Sequence, residues 1–297
     1  MIKKVFSILK SEGISGLLKA VYYRVLPQQL EYYPHCKSFF ESGIGLEIGG
    51  PSSIFRQWGL IPVYPVAARI DNCNFDNQTI WEGDISEGDT FIFDNKKAPG
   101  RQYIAEANNL QCIEDSSYKF VLSSHCIEHL ANPLKGLAEW IRVLKQEGLL
   151  ALIVPHKDGT FDHRRPVTSL EHLIQDFENQ TDEGDMTHLE EILRFHDLSK
   201  DPGAGDFDSF QQRSIRNVEN RCLHHHVFDT RLAVEVVNYM ELQILAVELF
   251  HPHHIVIIAK KEGKNQPINN EIFRGIDNIP CWSSPFPSDR VSHYKMA

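Results

Sequence analysis

The sequence predicts an α/β fold around a mostly parallel, seven-stranded sheet, and three observations carry that expectation. Short β-rich runs alternate with helical patterns, an order that builds parallel sheets through crossover connections. One run, Leu149–Val154, is apolar at every position, as in a strand buried on both faces. Another, Gly45-Leu46-Glu47-Ile48, leads into Gly49-Gly50-Pro51-Ser52-Ser53. Glycine tolerates positive φ and has no side chain, so such a turn lets backbone come close to a ligand.

Taken in order, residues 2–26 place Val5, Leu9, Leu17, Leu18, Val21, Tyr22, Val25 and Leu26 at helical spacings. Two short amphipathic helices follow from that pattern. Ile44–Ile48 reads as the first strand. Pro62–Ile70 reads as an irregular second strand, bulged or at an edge because of Pro65. Gln102–Ala105 and Lys119–Ser123 are the third and fourth. Asn132-Pro133 caps a helix whose Leu134, Leu137, Ala138, Ile141 and Leu144 share a face, with Gly148 as its end. Leu149–Val154 is the fifth strand. Thr230–Met240 is helical, and Leu242–Leu249 and His254–Lys260 close the sheet. Three segments result: an N-terminal helical segment over 1–40, the main domain over 41–260 with a polar, mostly helical insertion at 160–222, and a tail over 261–297.

Composition narrows the function classes. The 297 residues carry a formal charge of −10, which argues against a broad nucleic-acid surface. Charge is uneven: residues 1–40 hold six Lys/Arg against two Glu, a net of +4, so the remainder carries −14. A basic apolar helix at 1–26 either packs on the domain or touches a membrane peripherally. Six scattered cysteines with no C-x-x-C pair suit reduced thiols in a cytoplasm. No apolar run approaches the roughly 20 residues of a membrane span.

Three blocks are similar to class I S-adenosylmethionine-dependent methyltransferases of the group called type 11. Leu46-Glu47-Ile48-Gly49-Gly50 resembles the first cofactor motif. Ser117 through Leu130, with Ser123-Ser124-His125-Cys126-Ile127-Glu128-His129, resembles the fourth strand and its loop. Trp140 through Gly148, followed by Leu149–Pro155, resembles the family's helix end and fifth strand. The likeness covers residues 43–156 and 223–260. Two departures stand out. Pro51 takes a position usually held by glycine, which fixes φ and removes an N–H donor, and Lys119 replaces a common acid. The resemblance implies a Rossmann-like methyltransferase fold and S-adenosyl-L-methionine as cofactor.

In open parallel sheets the ligand lies beyond the carboxyl ends of the strands, at the switch point. That places Glu47, Gly49, Gly50, Pro51 and Ser52 opposite Ser123 and His125 around the cofactor. Asp71, closing the second strand, would take ribose hydroxyls. Glu106 would accept from the adenine amine, with Ala107 beside the ring. Methyl transfer to a hydroxyl is helped by a base, and histidine suits neutral pH. Ten of the fifteen histidines fall between 125 and 226. His156 is the first choice as base, with His129 and His226 as further catalytic candidates.

His163, Arg164 and Arg165 leave the fifth strand directly and could clamp an anionic acceptor. The expected substrate is thus a small molecule, with an anionic or nucleotide-linked sugar in view and carbohydrate biosynthesis as the setting. The insertion places Glu171, His172 and Asp176, then His188, Glu191, His196 and Asp197, at helical spacings, so a divalent metal is an option without a compact motif. Phe161, Phe177, Leu189, Ile192 and Phe195 would dock the insertion as a lid. Two other readings stay open. One is a metal-dependent phosphohydrolase using His172, His188, His196 and Asp197. The other is a non-catalytic binding module, which Pro51 favours.

Overall fold

The computed structural model describes residues 28–263, 266–275 and 280–294. The expected helices and membrane contact of residues 1–26 lie outside the described residues. Among the described residues, no helix is long and apolar enough to cross a membrane.

Among the described residues ten strands form: β1 (Ile44–Ile48), β2 (Arg69–Asn74), β3 (Gln78–Thr79), β4 (Gly83–Asp84), β5 (Gly88–Phe91), β6 (Gly100–Ile104), β7 (Tyr118–Ser124), β8 (Leu144–Pro155), β9 (Gln243–Phe250) and β10 (His254–Lys260). Eight make the main sheet in the order β5-β6-β2-β1-β7-β8-β10-β9, with β3 and β4 paired separately. The run from β6 to β8 is parallel, and β10 lies antiparallel between β8 and β9. The expected sheet is therefore present with one strand added. β5 runs antiparallel to β6 at the edge, where its short, largely exposed sequence gives no alternating signal.

Alternation along β8 explains why the sheet is a core. Leu150, Leu152 and Val154 pack into one apolar layer with Trp140, Leu137 and Val236. Leu149, Ala151 and Ile153 pack into the other with Phe40, Phe120 and Val256. Helix α1 (Tyr33–Phe40) supplies Cys36 and Phe40 to that second layer. Helix α2 (Pro133–Val143) covers the first; the Asn132 side chain accepts from the Lys135 N–H at 3.0 Å. This helix stops at Val143 rather than at Gly148, because Leu144 already pairs with Tyr118 of β7.

The second strand is displaced from its expected position. Residues 63–67 form a turn in which the amides of Val66 and Ala67 bond the Val63 carbonyl. Only from Arg69 does the chain pair with β1. The apolar Val63 and Tyr64 are buried beneath a loop, not in a ladder. Crossovers β1 to β2 and β6 to β7 consequently contain no α-helix, only a short 3-10 turn at Ser53–Phe55 in the first.

The insertion holds α3 (Leu170–Glu178), α4 (Leu189–Phe195), α5 (Phe207–Ile215) and α6 (Asn217–Asn220). Ile192, Ala204, Phe210 and Leu223 give it a small core. Then α7 (Thr230–Tyr239) leads to β9, and α8 (Glu271–Arg274) and α9 (Pro287–Tyr294) follow the sheet. Asp289 of α9 accepts from the Thr230 hydroxyl at 2.7 Å, which docks the end of the chain against α7.

Candidate functional site

The glycine turn after β1 is pinned from two sides. Glu47 faces inward, 1% exposed, and accepts from the Ser52 N–H at 2.8 Å and the Tyr64 hydroxyl at 2.6 Å. Asn72, opposite Glu47 on β2, accepts from the Gly50 N–H at 2.9 Å and donates to its carbonyl at 3.1 Å. Burial raises the Glu47 carboxyl to about 7 against the pull of those hydrogen bonds. A Cβ on Gly50 would meet the Glu47 carboxyl at 2.3 Å, so the residue must be glycine for the acid to fold back. Gly49 adopts φ +75°, and a Cβ there would touch Cys126 at 3.7–3.8 Å. Glu47, expected at the cofactor, spends its oxygens on the turn and lies outside the lining of the cleft beside it. Gly50 and Pro51 also shape the turn without lining the cleft beside it.

That cleft, about 450 Å³, opens at the carboxyl ends of β1, β2, β6 and β7. Gly49 and Ser52 line it from the first turn, and Ala105, Glu106 and Ala107 from the loop after β6. After β7 it is lined by Ser124, His125 and Cys126. Ser123, expected there, is fully buried on the other side of the strand, since successive side chains alternate. Asp71 is likewise not at a strand end. It sits mid-strand and accepts from Arg69 Nε at 2.5 Å, the Arg101 N–H at 2.8 Å and the Tyr118 hydroxyl at 2.9 Å. Because β2 runs on to Asn74, the residues meeting the cleft are Cys73, Asn74 and Phe75. From the insertion, Arg221 closes this end, pairing with Glu106 and lying over the Phe75 ring, 5.2 Å from its centroid.

The other end of the cleft is built of histidines around one acid. Glu128 is 1% exposed, and its Oε2 has no hydrogen-bond partner. Around its Oε1 stand His125 Nδ1 at 3.8 Å, His129 Nε2 at 3.9 Å and His224 Nε2 at 4.0 Å. Burial raises Glu128 to about 7. His129 gives its Nδ1–H to the Leu223 carbonyl at 3.0 Å, leaving Nε2 bare, and burial holds its pKa well below the usual value. His224 gives its Nδ1–H to Asp162 Oδ2 at 2.5 Å. Burial alone would lower the His224 pKa, but the Asp162 charge outweighs it and raises the value. Asp162 is held near 2: burial works against ionisation, and His224 and Arg165 overrule it. Each imidazole therefore has one nitrogen pinned and one turned inward. Glu128, His129 and His224 offer ligand atoms within 4.8 Å of one another and could also hold a divalent cation.

Several expected site residues are elsewhere. Pro155 lines the cleft, so the next side chain, His156, points away. Its ring is fully buried, stacks on Phe286 with centroids 4.1 Å apart, and lies 3.2 Å from Asp289. It cannot reach an acceptor in the cleft. His226, 1% exposed, lies outside the lining and gives Nε2–H to the Ala131 carbonyl at 3.2 Å. Arg165 is no anion clamp. Fully enclosed, it donates to Asp162 at 2.9 Å, Glu191 at 2.7 Å and the carbonyls of His224 and His225 at 2.8 and 3.1 Å. Arg164 and His163 both pair with Asp197, at 3.1 and 2.9 Å, away from the cleft. Cations at the cleft come instead from Lys200 and Arg221.

The set expected for a phosphohydrolase is not assembled. His196 pairs with Asp201 at 3.2 Å and Asp197 with His163, whereas His172 and His188 meet each other at 3.0 Å. Sequence reasoning gave no role to Glu128, although it lies in the block after β7. His224 belonged to a run of three histidines whose inward member spacing alone does not identify.

Residues 73–152 match the protein-family profile described as a methyltransferase domain. No protein of curated function matches the chain. Solved structures with a related chain trace include a SAM-dependent methyltransferase from Methanosarcina mazei, 14% identical with a TM-score of 0.44, over 78% of this chain and 99% of that one. Another, from Aquifex aeolicus, is 13% identical with a TM-score of 0.41, over 78% and 89%. A third is the 1,6-didemethyltoxoflavin-N1-methyltransferase of Burkholderia thailandensis with bound 1,6-didemethyltoxoflavin and S-adenosylhomocysteine, 10% identical with a TM-score of 0.44, over 88% and 90%. The family match over residues 73–152, which takes in β6, β7 and most of β8, marks that stretch as a methyltransferase domain with S-adenosylmethionine as its cofactor. The cleft fits that cofactor: bare backbone at Gly49, the Glu106 carboxylate, and apolar walls from Phe75 and Ala107 face a volume suited to a small ligand.

Proposed function

We propose that the enzyme methylates a hydroxyl oxygen of a small anionic acceptor, with His224 taking the proton. The His224–Asp162 pair opening on the cleft beside Glu128 is the observation that carries this reading. S-adenosylmethionine, when bound, supplies a methyl group on a sulfonium for in-line displacement, in which oxygen gains the carbon and sulfur keeps the bonding electron pair. Gly49, Ser52, Asn74, Glu106 and Ala107 are placed to hold it, and His125 flanks its reactive end.

Asp162 fixes the His224 tautomer, so the bare Nε2 meets an acceptor hydroxyl and accepts its proton as the new bond forms. Glu128, its carboxyl raised to about 7 by burial, can donate to the same oxygen from the other side when protonated. Lys200 supplies positive charge for an acceptor with a phosphate or carboxylate, which keeps a nucleotide-linked sugar among the substrates to be tried. The insertion contributes Lys200 and Asp162, and His224 follows directly after it, so the insertion shapes the acceptor's surroundings and orients the base. All six cysteines are free, which supports a reducing, cytoplasmic setting.

A second reading has its own support. The unpartnered Glu128 Oε2 and the pinned outer nitrogens of His129 and His224 resemble ligands oriented for a cation, which would lower the hydroxyl's pKa directly. One assay series separates them. S-adenosylhomocysteine should raise the melting temperature. An acceptor found by screening should lose activity when its hydroxyl is replaced by hydrogen. Activity that survives exhaustive chelation favours the base, and activity that returns only with a divalent ion favours the cation. Methyl transfer to nitrogen or carbon would end the proposal.

A further inference from the structure

Outside the cleft, the insertion gathers a second set of metal-type side chains from three separate pieces of chain. His172 stands in the first turn of α3, and Asp176 lies one turn further on the same face, its Oδ2 3.3 Å from His172 Nε2. His188, just before α4, brings its Nε2 to 3.0 Å from the same nitrogen. His226 arrives from the segment leading to α7, with Nε2 3.7 Å from Asp176 Oδ2. The three histidines each offer a nitrogen within 4.8 Å of the others. None of the four residues lines the cleft.

The geometry points to a structural zinc site formed by His172, Asp176, His188 and His226, clipping the insertion to the methyltransferase domain. Zinc bound at about 2.0–2.1 Å in a tetrahedron separates its ligand atoms by about 3.3–3.4 Å. The distances of 3.0 and 3.3 Å lie close to that spacing. Three imidazoles within 4.8 Å of one another, with the Asp176 carboxylate against His172, supply four ligand groups, the number a structural zinc site uses.

Two buried atoms also lack partners in a way that a bound ion would explain. Asp176 Oδ2 has no hydrogen bond, while Oδ1 accepts from the Thr181 hydroxyl at 3.0 Å and so aims its twin into the cluster. His226, 1% exposed, leaves Nδ1 without a partner, while its Nε2 lies 3.2 Å from the Ala131 carbonyl. With Nε2–H given to the Ala131 carbonyl, Nδ1 is the nitrogen left to meet an ion. A hydrogen-bonded pair of neutral histidines would satisfy His172 and His188 but neither of these atoms.

The site would have a consequence for the fold. His226 is two residues from His224, so an ion joining it to α3 and α4 fixes the segment that carries the base. This inference does not depend on which acceptor is methylated or on how its hydroxyl loses a proton.

The experiment is metal analysis of the full chain purified without chelator, followed by zinc and Co²⁺ titration of the stripped protein. Wild type should hold about one zinc per chain, and Co²⁺ should give the visible bands of a four-coordinate site. Zinc should raise the melting temperature of stripped protein. His172→Ala/His188→Ala should lose the ion, whereas Glu128→Gln, which disables the cluster in the cleft, should keep it. If the double variant does not fold, the milder Asp176→Asn should still weaken zinc binding by roughly ten-fold or more. Zinc lost in Glu128→Gln but retained in the double variant overturns the proposal. So does stripped wild type whose melting temperature and spectrum ignore both ions. Binding of S-adenosylhomocysteine, measured in parallel, reports on the cofactor cleft independently.

Discussion

His224 donates its Nδ1–H to Asp162 at 2.5 Å, and that bond decides which face of the imidazole meets the cleft. With Nδ1 committed, only Nε2 remains to accept a proton. Replacing His224 with Ala should therefore lower kcat by roughly 10²–10⁴ while leaving S-adenosylhomocysteine affinity intact. Asp162→Asn should give a loss in the same direction, because an amide can donate to Nδ1 and reverse the tautomer. Steady-state kinetics paired with calorimetry checks both. A loss of cofactor affinity matching the loss of kcat would assign the pair to holding the cleft together.

Arg165 stands behind that pair, and it makes the contrast with Arg164 informative. Arg165 is 1% exposed and serves two carboxylates and two carbonyls, so Arg165→Ala leaves Asp162 buried beside an empty space. Removing one partner of a buried ion pair costs about 3–5 kcal/mol. Arg164 has a half-exposed side chain and one pair with Asp197, and its replacement by Ala should cost about 0–1 kcal/mol. Urea unfolding of the two variants measures the difference. Equal effects would mean that the sequence's plain anion clamp was nearer the truth.

The acid at the glycine turn gives a pH signature. Glu47 is raised to about 7 in the fold from 4.5, chiefly by burial. Between those values the folded state holds the proton more tightly than the unfolded one. The stabilisation is fully present below the unfolded value and is lost as pH rises through the folded one. Glu47→Gln cannot titrate. The melting temperature of wild type minus that of the variant should thus fall from about pH 5 to about pH 8. A flat difference would show that Glu47 is ionised in the fold throughout.

Much of this was legible in the sequence, and the failures share causes. The strands β1, β7 and β8 and the Asn132 cap are local patterns, so short windows contain them. The second strand was misplaced because Val63, Tyr64 and Val66 look like a strand, yet two prolines turn the chain and the residues find burial under a loop. The site was harder. At the carboxyl edge, Ser124 and Pro155 face the cleft while Ser123 and His156 face away. A slip of one residue in where a strand ends inverts every assignment, and spacing does not fix that parity. Arg165 misled for another reason. A polar run after a strand reads as solvent-facing, and only the tertiary structure reveals that Asp162, Glu191 and two carbonyls converge on it.

The turn itself provides the sharpest test of where the cofactor lies. Gly49 is at φ +75°, where a Cβ costs about 1–2 kcal/mol. Its nearest neighbours would be Cys126 atoms 3.7–3.8 Å away, so the added methyl is strained but not blocked. That methyl would project beside Cys126, which lines the cleft, and occupy space the cofactor needs. Gly49→Ala should therefore fold, with a modestly lower melting temperature. Its affinity for S-adenosylhomocysteine should drop by roughly ten-fold or more, since about 1.4 kcal/mol of lost contact is a factor of ten. Calorimetry on the folded variant reads the two effects separately. Unchanged affinity in a folded Gly49→Ala protein would move the cofactor away from the first turn, and with it the whole assignment of the cleft's two ends.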